Sequence, residues 1–156
     1  MAYIVRVKIC CIGSLEEARL AIACGANALG LVSAMPSGPG VIPDETIAQV
    51  AVATPPGVTP VLLTAEQDAP AIITQQRRLG PRAIQLVDHV EPSAFATLRA
   101  ALPGIALMQV IHVTGPEALA NALAAADYAD ALLLDSGNPA LAIKELGGTG
   151  RTHNWE

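Results

Sequence analysis

The sequence predicts an α/β fold made of consecutive βα units, a parallel (βα) barrel carrying the first six of eight units. Three observations lead there. Six short apolar runs lack the alternation of half-exposed strands and so read as strands buried on both faces. A helical pattern separates each run from the next, at a strand-to-strand spacing of roughly 25 residues that suits parallel crossovers. Polar residues able to do chemistry fall where those strands end.

The first run, Ile4 to Cys10, feeds "SLEEARLAIACG", where Ser14 and Glu17 form a capping box, Leu15, Ala18 and Ile22 share a face, and Gly25 ends the helix. The second strand is Ala28 to Val32. After it, "PDETIAQVAVA" places Asp44 and Glu45 in an acidic first turn and Ile47, Val50 and Ala51 on the buried face. Strands then follow at Val58 to Leu63, Ala83 to Leu86, Ile105 to Ile111 and Ala131 to Leu134. The helices between them cover Asp68 to Leu79, Pro92 to Ala101 and Pro116 to Ala126.

Two architectures use such units. A doubly wound sheet carries a glycine-rich phosphate turn after its first strand, but "CCIGSLEE" offers only Gly13. A TIM-type barrel spreads its site over the C-terminal strand ends, where Cys10, the Ser33 to Pro43 loop, His112 and Asp135 all fall. The expectation is therefore one barrel domain over residues 1–156, lacking strands seven and eight.

Composition narrows the function classes. Apolar residues are 52% of the chain and aromatics 3%, so the core is aliphatic. A net charge of -5 without a basic run argues against nucleic acid and for a small-molecule partner. Cys10, Cys11 and Cys24 are an odd set without a disulfide framework, which predicts free thiols in a reducing compartment. The uncharged stretch from Leu20 to Pro43 is broken by glycines and prolines, so no membrane span is expected. Arg6 and Lys8 interrupt the opening apolar run, which argues against a signal peptide and for a cytoplasmic protein. No histidine pair has metal-ligand spacing, and neither a metal nor another cofactor is expected.

Read from pattern alone, Cys10 is either a small core residue or a catalytic thiol, and Asp135, directly after three leucines, is either a loop cap or a catalytic acid. His112 ends the fifth strand and can face ligand, whereas His89 and His153 read as solvated loop residues. "GGTGRTHNW" lacks the Gly-Lys-Ser/Thr of a phosphate loop and reads as a flexible connection.

A resemblance joins these pieces. "VKICCIGSLEEARLAIACGANALGLV" is similar to the start of phosphoribosylanthranilate isomerase, whose first strand carries VKICGIT. "IQLV", "DALLLDS" and "GGTGRTHNW" resemble that family's IQLHG, LLLDS and GGTGKTFDW in the same order. The resemblance implies an Amadori rearrangement of a phosphorylated small-molecule substrate in tryptophan biosynthesis. It implies Asp135 as general acid on the ribose ring oxygen and Cys10 as base for the C2′ proton; Gln85, His112, Gly148, Thr149 and Gly150 are the residues expected in substrate binding. Lys8 shares Cys10's strand parity but sits about 7 Å further down the strand, so its help cannot be assumed.

This chain departs from the pattern at three positions. Gly40 stands where the family has the arginine that binds the anthranilate carboxylate, Val87 stands where it has histidine, and Cys11 replaces a glycine, which predicts a backbone that is either strained or simply different there. Restoring an arginine at position 40, where the loop permits it, is expected to strengthen binding of an anthranilate-bearing ligand, unless Arg82 or Arg151 already serves the carboxylate or anthranilate is not part of the ligand. The alternatives to the isomerase are a related barrel acting on another phosphorylated aminosugar and an inactive fragment or small-ligand binder. With six units only, residues 1–156 are expected to be inactive alone and to self-associate through open sheet edges.

Overall fold

The structure is a computed structural model and describes residues 5–152. Strands and helices alternate throughout: β1 Lys8–Ile9, α1 Leu15–Ala23, β2 Ala28–Val32, α2 Asp44–Ala53, β3 Thr59–Thr64, α3 Ala69–Leu79, β4 Ala83–Leu86, α4 Pro92–Ala101, β5 Ala106–His112, α5 Glu117–Ala126 and β6 Ala131–Asp135. Every pairing is parallel, and the sheet order is β1-β2-β3-β4-β5-β6. That order decides between the two architectures. A doubly wound sheet reverses its stepping direction and has helices on both faces, whereas steps always to the same side leave all helices on one face. The result is a curled parallel sheet of TIM-barrel type.

The core divides along the same line. On the concave side Val32, Val61, Leu63, Ala83, Val87 and Val110 meet in one cluster. The alternate residues face the helices: Leu29, Leu31 and Leu62 pack with Ile47 and Val50 of α2, and Ile84 and Leu86 pack with Phe95 and Leu98 of α4. Burial on both faces explains why these strands read as continuous apolar runs.

Local signals account for the helix ends. Ser14 Oγ accepts the Glu17 N–H at 3.2 Å, while the Glu17 carboxylate accepts the Gly13 N–H at 2.6 Å, one residue earlier than in a strict capping box. Asp68 caps α3 by accepting the Ala71 N–H at 3.3 Å, and Gly80, at φ +78°, ends it in the left-handed region. Ile47, Val50 and Ala51 are the buried residues of α2, as its periodicity predicts.

Two strands depart from expectation. The first is reduced to Lys8–Ile9, with Ile4 outside the described residues, and Ile9 is exposed. In β6, Leu132 and Leu134 are exposed rather than buried on both faces. Both strands stand at edges of the described sheet with a single neighbouring strand, so their apolar side chains lack the neighbours that β2 to β5 supply. Among the described residues no helix is long and apolar enough to cross a membrane.

Candidate active site

Side chains of a strand alternate between faces, so Lys8 and Cys10, Gln85 and Val87, and Leu133 and Asp135 form three same-face pairs. All six line one cavity of about 260 Å³ at the C-terminal end of the sheet. Cys10 and Asp135, from the two ends of the sheet order, thus face the same space. Asp135 Oδ1 also accepts the Ser136 N–H at 2.6 Å, which fixes the carboxylate plane without removing it from the cavity. Gln85 is 4% exposed, and its Oε1 has no hydrogen-bond partner.

The segment after β6 folds over this cavity. Leu146 is buried and joins the concave cluster. Gly147, at φ +121°, lays its backbone so close to Asp135 that a Cβ there would overlap Oδ2, and Gly148 packs on Pro39. Several ties hold the segment down. Ser37 Oγ donates to the Lys144 carbonyl, Lys144 Nζ pairs with the buried Asp88, and the Glu145 N–H donates to the Asn138 carbonyl at 3.1 Å. Thr149 Oγ1 bonds Ser136 Oγ at 2.5 Å.

The remaining predicted residues are distributed unevenly. Gly148 lines the cavity; Thr149 and Gly150 sit in the covering segment without lining it. The structure does not bring His112 to Cys10 and Asp135. Its Nε2 donates to the Val87 carbonyl at 2.8 Å, its Nδ1 is buried without a partner, and it lines a separate pocket of about 400 Å³ behind β5. His89 lies at the surface beside Glu91, and His153 falls outside the described residues. Among the described residues no group of three or more His, Cys, Asp or Glu could hold a metal ion.

Positions 11 and 40 form a steric pair. Cys11 has φ +57°, the one positive value at a non-glycine among the described residues, in line with the strain its sequence position predicts. Its Sγ donates to the Pro39 carbonyl at 3.6 Å. Burial raises the Cys11 thiol above its ordinary range, the Cys10 thiol adds to this, and the Lys8 ammonium opposes it. Gly40, at φ +82°, faces this side chain: a Cβ there would stand 2.5 Å from Cys11 Cβ, 2.8 Å from Sγ and 3.0 Å from Cα. The expected gain from an arginine at position 40 required the loop to admit it, and here its first side-chain carbon would meet both a left-handed backbone and the Cys11 side chain, so the substitution carries a steric cost. Arg82 cannot substitute, since it donates to the carbonyls of Thr54 and Val58 at the opposite end of the sheet.

Sequence reasoning missed Lys8. Its ammonium lies 3.2 Å, and Cys10 Sγ 2.9 Å, from the point where a Cβ on Gly30 would stand, so both heads share a slot that glycine leaves open. The signal was present in the shared parity of positions 8 and 10 and in Gly30 on the neighbouring strand. What it lacked was the upward reach of the lysine side chain.

No protein-family model matches the chain. Whole proteins do. It is 34% identical over 152 residues, 97% of its length and 68% of the other's, to N-(5'-phosphoribosyl)anthranilate isomerase of Natronomonas pharaonis. The chain belongs to the phosphoribosylanthranilate isomerase family. It is also 32% identical over 151 residues to N-(5'-phosphoribosyl)anthranilate isomerase 2 of Methanosarcina mazei, covering 96% of this chain and 66% of that protein. It thus spans just under two thirds of that relative. A solved phosphoribosylanthranilate isomerase, in complex with reduced 1-(o-carboxyphenylamino)-1-deoxyribulose 5-phosphate, superposes with a TM-score of 0.75 at 26% identity, covering 85% of this chain and 65% of that one. Family membership accounts for the barrel-type winding and for the cavity at the C-terminal strand ends.

Proposed function

We propose that this chain carries the acid and base of an isomerase that rearranges N-(5-phosphoribosyl)anthranilate to the carboxyphenylamino-deoxyribulose phosphate of tryptophan biosynthesis. The observation that carries the reading is that Cys10 and Asp135 line a single cavity in a chain of that family. In this mechanism Asp135 gives a proton to the ribose ring oxygen as the C1′–O bond breaks, leaving a Schiff base. Cys10 takes the C2′ proton, its electron pair forms the enol, and tautomerisation yields the ketone. Gln85 and Gly148 border the substrate. Thr149 and Gly150 shape the covering segment, and His112 supports β5 from behind the cavity. Leu146 and the segment around it keep water from the Schiff base, which would otherwise hydrolyse.

The same proposal places the protein in the cytoplasm with a phosphorylated small molecule as its partner, and has the 156-residue chain associate with itself through the β1 and β6 edges. A second reading, a phosphorylated aminosugar without a carboxylate, draws support from the closed position at Gly40.

The test joins residues 1–156 to the remaining third of the Natronomonas relative and assays phosphoribosylanthranilate turnover. Cys10→Ala and Asp135→Asn should each lower turnover by roughly 10²- to 10⁴-fold, with smaller changes in KM. A variant as active as its parent would remove that residue from the mechanism.

A further inference from the structure

We infer that Lys8 is the residue that binds the anionic group of the cavity's ligand, a carboxylate on the isomerase reading from which this follows. Lys8 is half-buried on the concave face of β1 and lines the cavity, with its ammonium beside Gly30. Among the described residues it makes no ion pair, whereas the other cations near the mouth are engaged, Lys144 with Asp88 and Arg151 with Glu145. An ammonium without a counter-charge is available to an incoming anion, and a charge-assisted hydrogen bond is about twice as strong as a neutral one.

Two further features shape the slot. Gly30 is what admits the ammonium, because any side chain there would meet Cys10 Sγ at 2.9 Å, Cys10 Cα at 3.1 Å and Lys8 Nζ at 3.2 Å. Gln85 lines the same cavity, and its Oε1 is buried and unpartnered, an acceptor that a donor on the ligand would satisfy. The complementary ligand therefore carries an anionic oxygen group together with an N–H or O–H donor, and an ortho-amino carboxylate has both. Position 40 cannot supply a cation in this chain, which leaves the charge at position 8 to make that contact.

The experiment titrates the 156-residue chain with 2-aminobenzoate, with neutral 2-aminobenzamide and with inorganic phosphate, following affinity by calorimetry and folding by melting temperature. The parent should bind 2-aminobenzoate roughly ten- to a hundred-fold more tightly than the amide, the range of one charge-assisted hydrogen bond. Lys8→Met should abolish that preference, and Lys8→Arg should keep most of it. Lys8→Gln, which retains a polar head without charge, serves as the second loss variant if Lys8→Met melts early. Lys8-dependent binding of phosphate alone would overturn the carboxylate assignment. Binding of 2-aminobenzoate that Lys8→Met leaves unchanged, or binding of neither anion, would overturn the inference altogether. Turnover by the joined protein is read separately. Lys8-dependent anion binding without turnover would sink the isomerase reading and leave the anion site, and turnover with a KM indifferent to Lys8 would do the reverse.

Discussion

Gly40→Ala tests the steric pair at positions 11 and 40 with the smallest possible side chain. At φ +82° an alanine enters the left-handed region, at a cost of about 1–2 kcal/mol. Its Cβ must also displace Cys11, whose Cβ, Sγ and Cα would lie 2.5, 2.8 and 3.0 Å away, and overpacking of this kind costs about 1–3 kcal/mol more. The variant should therefore lose roughly 2–5 kcal/mol of unfolding free energy. Cys11→Gly removes the two nearest of those atoms and relieves a strained φ of +57°, so by itself it should stay within about 1 kcal/mol of the parent. In the Cys11→Gly background only the left-handed backbone and the close approach to the main chain of residue 11 still oppose the alanine, and the cost of Gly40→Ala should fall by about 1–3 kcal/mol. Urea denaturation of the four proteins gives this coupling directly. Additive effects would mean that Cys11 moves aside freely, and the account of why position 40 excludes an arginine would collapse.

Two further outcomes follow from the site and its surroundings. Lys144→Met should leave Asp88 without its ion pair and loosen the segment over the cavity, exposing the Glu145 amide to hydrogen exchange about ten- to a hundred-fold more often; unchanged protection would show that the Ser37 and Thr149 ties suffice. The Leu107 N–H and then Arg99 hold the Asp130 carboxyl below the usual carboxylate range. Folding therefore favours its ionised form, so its contribution is present above the unfolded value of about 3.9 and is lost as pH falls through the lower folded value. Asp130→Asn should cost up to about 1 kcal/mol near neutrality, after allowance for solvent screening of a partly exposed pair, and progressively less as pH falls below the unfolded value. A cost that persists in acid would assign the effect to packing.

Much of the framework could be read from the chain because its causes are local. The bounds of β2, β4 and α4 coincide with their apolar or helical patterns, and Ser14, Asp68 and Gly80 act as the caps and stops that their chemistry suits. Strand-end position and motif resemblance also singled out Cys10 and Asp135, which the structure brings to one cavity. The edge strands β1 and β6 were less legible, because an apolar run does not state how many neighbours it will have.

Interactions between distant segments were decided by tertiary structure alone. Lys144 reaches Asp88 across 56 residues, and Leu146 enters the concave cluster, only because the segment after β6 turns back over the mouth. His112 has the inward parity of a site residue, yet its ring is taken up by the Val87 carbonyl and the wall behind β5. Cys11 and Gly40 are unrelated in pattern and share one volume in space. Periodicity and caps record the preferences of a residue and its near neighbours along the chain. Which side chains share a cavity depends on the curl of the sheet and the paths of its loops, and these follow from packing among all six strands at once.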